Sequence, residues 1–144
     1  MKIDLSKSLE QLEQDCWGEP TFDSNLVRRC HHLRTIPLRE LEPGDLRILI
    51  GQNISLQRLV QLALDVLDKE PLLNAELYEG DLLWSLLSAD PKFWQLHPPF
   101  RARLSELSHR AIVSLDANPE SHPFADVELL QRAHARFHEQ KHGE

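Results

Sequence analysis

Apolar residues recur at helical spacing along nearly the whole chain. Leu5, Leu9, Leu12 and Cys16 stand at i, i+4, i+7 and i+11, and Ser8 with Gln11 has the form of a capping box. Gly18 and Pro20 stop this first helix. Ser24 is placed to cap a second helix that carries Leu26, Val27, Cys30 and Leu33 to the core and ends before Pro37. Pro43 suits the first turn of a third, with Leu46, Leu49 and Ile50 facing inward until Gly51-Gln52-Asn53 interrupts. Ser55 can cap a fourth. There Leu56, Leu59, Val60, Ala63, Leu64 and Leu67 form an unbroken stripe, widened by Leu62 and Val66. A helix apolar over so much of its circumference belongs at the centre of a bundle.

Pro71 ends that helix, and Tyr78–Asp81 has turn character before a fifth helix with Leu82, Leu83, Leu86 and Leu87. Asp90 caps a short helix starting at Pro91, anchored by Phe93, Trp94 and Leu96. Pro98-Pro99 breaks the chain again. Arg101 to Leu115 resumes a weaker helical pattern, Asn118 to Pro123 is a loop, and the last helix runs from Phe124 to about His142. Strand-like alternation never exceeds four residues. The pattern predicts an all-α fold, one domain over residues 1–144, with seven or eight mostly short helices around a single core.

At 144 residues the chain can bury roughly two-thirds of the surface its unfolded form exposes, so neither a disulfide nor a metal is needed for folding. Cys16 and Cys30 both fall on apolar helical positions, which predicts two buried free thiols rather than a bridge. Met1-Lys2-Ile3-Asp4-Leu5 lacks the basic and apolar regions of a secretory signal, and no apolar run approaches a membrane span. The expectation is a cytoplasmic protein that does not enter a membrane.

Net charge is −7, unevenly spread. Residues 1–24 carry two Lys against six acids, and residues 48–92 carry three bases against seven acids; residues 25–47 reverse the sign with five Arg against three acids. Such a balance repels phosphate backbones and suits a basic protein partner. Arg28, Arg29, Arg34, Arg39 and Arg47 form a basic group without interleaved aromatics, better suited to pairing with the chain's own acids than to nucleic acid.

Catalytic motifs are thin. His138-Glu139-Gln140-Lys141-His142 spells H-E-x-x-H, which on a helix would set two imidazoles on one face for zinc with Glu139 as general base. Only Gly143 and Glu144 follow in this sequence to supply a third ligand, and a frayed last turn holds a metal poorly. His134, His138 and His142 advance about 40° per step and drift from the Leu130/Ala133/Phe137 face toward solvent. Cys30-His31-His32 cannot converge on one ion, because consecutive helical residues point about 100° apart. Asp65/Asp68 and Glu76/Glu79 are paired acids of the kind that usually line a solvated face. Gly51 and Gly80 each stand alone, without the spacing of a phosphate loop. No catalytic residue, cofactor or resident metal is expected. A metal-dependent hydrolase using His138 and His142, or a helical adaptor with an unrelated partner, stands as the competing reading.

Several stretches in order resemble one bacterial family. They are Leu9-Glu10-x-Leu12-Glu13-x-Asp15-x-Trp17-Gly18-Glu19-Pro20, Asp23-Ser24-x-Leu26-Val27, Leu33-Arg34-x-x-Pro37-Leu38, Asp45-Leu46-Arg47-Ile48-x-Ile50-Gly51-Gln52 and Tyr78-x-Gly80-Asp81-Leu82-Leu83. Over about residues 8–95 the chain resembles the helical immunity proteins of contact-dependent growth-inhibition systems. The resemblance implies a cytoplasmic, non-enzymatic protein whose partner is the cognate C-terminal toxin domain, often a nuclease, delivered by a sibling cell. It implies no cofactor, no direct nucleic-acid contact and no membrane. Trp17, Gly51 and Tyr78 read as packing and turn positions. Toxin-binding candidates are the acidic middle, Asp65, Asp68, Glu70, Glu76 and Glu79, with Glu10, Glu13 and Asp15 as a second group.

Overall fold

A computed structural model describes residues 3–18 and 24–139. Eight α-helices follow one another among these residues: α1 Leu9–Glu13, α2 Asn25–Leu33, α3 Pro43–Gly51, α4 Leu56–Lys69, α5 Asp81–Leu87, α6 Pro91–Leu96, α7 Pro98–Ala117 and α8 Val127–Glu139. Short 3-10 turns occupy Leu38–Glu40 and Pro119–Ser121. No strand forms among the described residues, and the extended contacts there are two isolated bridges, Ser8 with Pro37 and Asn74 with Glu79. The all-α bundle is as the periodicity predicts.

Local signals did set several helix starts. The Ser8 side chain accepts from the Gln11 backbone while Gln11 Oε1 accepts from Ser8 N–H at 2.9 Å, completing the capping box. Ser24 and Asp90 cap α2 and α6 as expected, and Pro43 sits in the first turn of α3. The α4 stripe is buried throughout from Leu56 to Leu67. Around it, α3 packs against α5, while α7 lies across α4 and carries α6 and α8. Trp94 of α6 is fully buried and meets Phe137 of α8 edge-on, 5.6 Å between ring centroids. Burying an aromatic of this size stabilises by about 2–3 kcal/mol, so this contact ties the last helix to the core.

Other expectations are corrected. Gln14 adopts a left-handed backbone (φ 53°) and ends α1 after five residues. Cys16 therefore leaves the apolar stripe and is exposed, as is Leu5, while Cys30 is buried. Neither cysteine is bridged. Leu26 of α2 and Leu96 of α6 are exposed because no helix covers their sides, leaving Cys30 and Leu33, and Phe93 and Trp94, as the buried positions. Pro98-Pro99 opens α7 instead of breaking the chain, since prolines in a first turn forfeit no helical hydrogen bond. The last helix starts at Val127, not Phe124. Glu19, Pro20 and Asp23 of the motifs, together with His142, lie outside the described residues.

Candidate functional site

The motif residues gather into two ionic networks, each built round one buried charged side chain, Arg34 or Asp81. In the first, Arg34 is 1% exposed and donates to Glu13 Oε1 at 2.6 Å and to the Asp15 carbonyl at 2.5 Å. The Trp17 ring covers the guanidinium, with Cζ 4.3 Å from the ring centroid. Glu13 is shared further: the Ser55 hydroxyl donates to its Oε2 at 2.5 Å, and Arg58 Nε stands 3.7 Å away. Burial opposes the charge on Glu13, but the Ser55 and Arg34 hydrogen bonds outweigh it and hold the carboxyl below its ordinary value. Ser55 was expected to cap α4. It holds the cap position in a left-handed backbone (φ 52°), makes no side-chain cap bond, and donates its hydroxyl to Glu13.

The second network surrounds Asp81, which is 1% exposed at the start of α5. Its carboxylate accepts backbone N–H groups from Ala75, Glu76 and Leu77 at 2.8, 3.0 and 2.8 Å. The chain from Leu73 to Gly80 thus wraps round one buried anion, and Gly80 N–H closes it onto the Leu73 carbonyl. Gly80 has φ 90°, and a Cβ there would lie 2.8 Å from Leu130 Cδ1, so the turn needs glycine on both counts. Arg47 Nε approaches Asp81 at 3.7 Å, and Arg47 also donates to Glu76. Glu76 is gripped by Arg29 at 3.1 and 3.2 Å, which with Arg47 lowers its carboxyl pKa, while Arg29 reaches Asp45 at 3.1 Å. Burial and the Asp81 charge push the Tyr78 phenol up.

The predicted acidic middle is therefore split across several partners. Asp65 and Asp68 remain exposed on α4, both bonded to Arg103 of α7, at 3.1 and 2.8 Å. Asp65 and Glu70 line a shallow groove of about 320 Å³ with Val66, Lys69 and Leu73. Glu76 belongs to the second network. Glu79 accepts from His122 Nδ1 at 3.2 Å, on the far side of the loop. Of the second group, Glu13 is consumed by Arg34, Ser55 and Arg58, Asp15 is exposed, and Glu10 is half-buried. Sequence reasoning did not find that Arg34 and Asp81 are buried: Arg34 meets Glu13 across 21 residues, and Asp81 collects backbone donors from the loop before it. The basic group does pair internally, at Arg29, Arg34 and Arg47.

Of the predicted histidine row, His134 and His138 are described, and both are half-buried against α7. His134 is half-buried and bonds the Ser108 hydroxyl through Nδ1. His138 donates from Nδ1 to the His134 carbonyl at 2.9 Å, leaving Nε2 to meet the Ser105 hydroxyl at 3.0 Å. Both His138 nitrogens thus have hydrogen-bond partners, Nδ1 within α8 and Nε2 on α7. Among the described residues no group of three His, Cys, Asp or Glu is placed to hold an ion. Nor is any described helix long and apolar enough to cross a membrane.

The model of the CDI immunity proteins matches residues 11–104 of this chain. The chain belongs to this family. No curated protein matches the chain, and no solved structure does. Both ionic networks lie wholly inside the segment shared with the CDI immunity proteins, from Glu13 to Asp81, and they account for Trp17, Arg34, Arg47, Gly80 and Asp81 as structural residues. Trp17 does so by roofing an arginine rather than by filling a gap between helices. Gly51 has open space where a Cβ would stand, so no close approach explains it. Most of α7 and all of α8 lie beyond the matched segment.

Proposed function

We propose that this CDI immunity protein works without catalysis, binding the cognate C-terminal toxin domain in the cytoplasm one-to-one and blocking it. The family match over residues 11–104 carries this reading. Two further features support it. A net charge of −7 suits a basic partner, and the central arginines are already spent on internal carboxylates, leaving the exposed acids to set the outer field. A nuclease carries a basic surface for its phosphate-bearing substrate, and an acidic protein can fill such a cleft, so the proposed target is a nuclease domain. The exposed Asp65, Asp68 and Glu70 face outward in this reading.

The test pairs the chain with the C-terminal domain of the large exported protein encoded beside it. The purified toxin domain should be retained by the immobilised chain, and co-expression should restore growth of cells producing that domain. Retention without rescue, or neither, would overturn the proposal.

A further inference from the structure

A cavity of about 550 Å³ opens between α4 and α7. Arg58 and Gln61 of α4 line one side and Phe100 and Arg103 of α7 the other. Each pair stands three residues apart and so shares one face of its helix. Leu12 of α1 and Ile3 add apolar surface. A space of this size takes a drug-sized group, or one large side chain together with its neighbour. Apart from Ile3 and Asp4, the described residues lining it all fall within the segment shared with the family, 11–104.

Among the described residues three charged side chains line the cavity, and two of them are balanced. Arg103 is bonded to both Asp65 and Asp68. The Asp4 carboxyl is held below its ordinary value by hydrogen bonds from Ser6, with the Lys7 and Arg39 charges adding to the effect. Arg58 differs. Its one hydrogen bond among the described residues runs from Nη2 to the Leu12 carbonyl at 3.4 Å, and its Nε is buried without an acceptor. Glu13 stands 3.7 Å from that Nε, but Arg34 holds one of its oxygens at 2.6 Å and Ser55 the other at 2.5 Å. The Arg58 side chain is 30% exposed, so a guanidinium with unused donors borders the cavity beside Leu12 and Phe100. A cation so placed binds a carboxylate, and a carboxylate borne on an apolar body also fits the Leu12 and Phe100 surface.

We propose that this cavity receives an acidic side chain of the toxin domain carried beside a bulky apolar one, the carboxylate pairing with Arg58 and the apolar neighbour lying against Leu12 and Phe100. This rests on the reading of the chain as a toxin-neutralising binder, and it adds a fixed register to that reading. Exposed acids attract a basic surface from many angles, whereas a guanidinium–carboxylate pair in a cavity fits in one orientation. Arg103 both lines the cavity and bonds Asp65 and Asp68, so the anchor site adjoins the acids assigned to steering.

The probe is the purified C-terminal domain of the neighbouring exported protein, with binding followed by surface plasmon resonance. Gln61→Trp fills the cavity without removing a charge, and Arg58→Gln removes the cation. Each should weaken binding about tenfold or more, chiefly through faster dissociation. Ala135→Trp is the control, an equally bulky change at an exposed position of α8 that does not line the cavity. Circular dichroism melts verify that each variant folds. One Asp or Glu of the toxin domain, changed to its amide, should reproduce the Arg58→Gln loss and cost little more when the two changes are combined. If the original chain binds and Gln61→Trp binds equally well, the cavity is not the interface, while the wider proposal stands. If Gln61→Trp weakens binding but no toxin acid couples to Arg58, the occupant is not acidic and the inference fails. If the original chain does not bind, the wider proposal fails first and this one falls with it. Uptake of free 3-phenylpropanoate that leaves toxin capture unchanged would assign the cavity to a small carboxylate. A dimer in sedimentation velocity that Gln61→Trp abolishes would assign it to a second copy of the chain, and either result overturns the inference.

Discussion

The Trp17 ring roofs the Arg34 guanidinium, with Cζ 4.3 Å from its centroid, and this pair shuts a buried charge away from water. The guanidinium is satisfied from other directions by Glu13 and the Asp15 carbonyl. A buried cation is tolerated when it is paired and hydrogen-bonded, as both terminal nitrogens are here, while Nε is buried without an acceptor. Removing one partner therefore costs more than forming the pair ever contributed. Arg34→Met should destabilise by about 2–4 kcal/mol and Arg34→Lys by about 1–2, because an ammonium cannot reproduce the planar fork. Trp17→Ala should cost roughly 1 kcal/mol. Urea unfolding followed by far-ultraviolet circular dichroism measures all three.

Asp81 makes the analogous case for an anion. Its three backbone donors come from consecutive residues, so one carboxylate organises the Ala75–Leu77 chain. Asp81→Asn turns an amide NH2 toward N–H groups and should cost about 2–4 kcal/mol. Amide hydrogen exchange at residues 75, 76 and 77 should speed up more than at α4.

Two glycines of the family pattern should respond in opposite ways. Gly80→Ala places a methyl 2.8 Å from Leu130 Cδ1 at φ 90°, and about 2 kcal/mol of stability should be lost. Gly51→Ala meets open space at the end of α3 and should change the unfolding midpoint little, by about 0.5 kcal/mol in either direction. The comparison separates a glycine required by geometry from one that is not.

Burial, then the neighbouring His138 and His109, hold the His134 imidazole below its ordinary value of 6.5. The unfolded chain therefore binds a proton that the folded chain refuses. Stability is complete above the ordinary value and falls as pH drops below it toward the depressed folded value. His134→Gln should flatten the dependence of the urea midpoint on pH between about 5 and 7. Glu13 acts lower on the scale: its folded carboxyl is depressed, so its contribution is present above 4.5 and lost as pH falls through the folded value.

Asp65→Asn, Asp68→Asn and Glu70→Gln together should slow capture of the toxin domain about threefold or more at low salt and weaken its salt dependence. Neutralisation is preferable to reversal here, because Lys at 65 or 68 would face Arg103 at contact distance. Unchanged stopped-flow association rates would show that these acids do not steer the toxin.

Much of the architecture was legible residue by residue. The α4 stripe, the Ser8–Gln11 capping box, the Ser24 and Asp90 caps and Pro43 at the start of α3 all depend on residues within one or two turns of each other. Periodicity shows which face of a helix is apolar, and the chain alone was enough for an all-α bundle and a resemblance to one family. It does not show which apolar face finds a cover, which is why Leu26, Leu96 and Cys16 came out exposed. The ionic networks were hidden for the same reason. Arg34 meets Glu13 across 21 residues, Ser55 meets the same carboxylate across 42, and Arg29 meets Glu76 across 47. A lone Arg, Ser or Glu reads as surface until the fold brings its partner to bonding distance. Once there, an environment of lower dielectric than water strengthens the bond, as between Ser55 and Glu13.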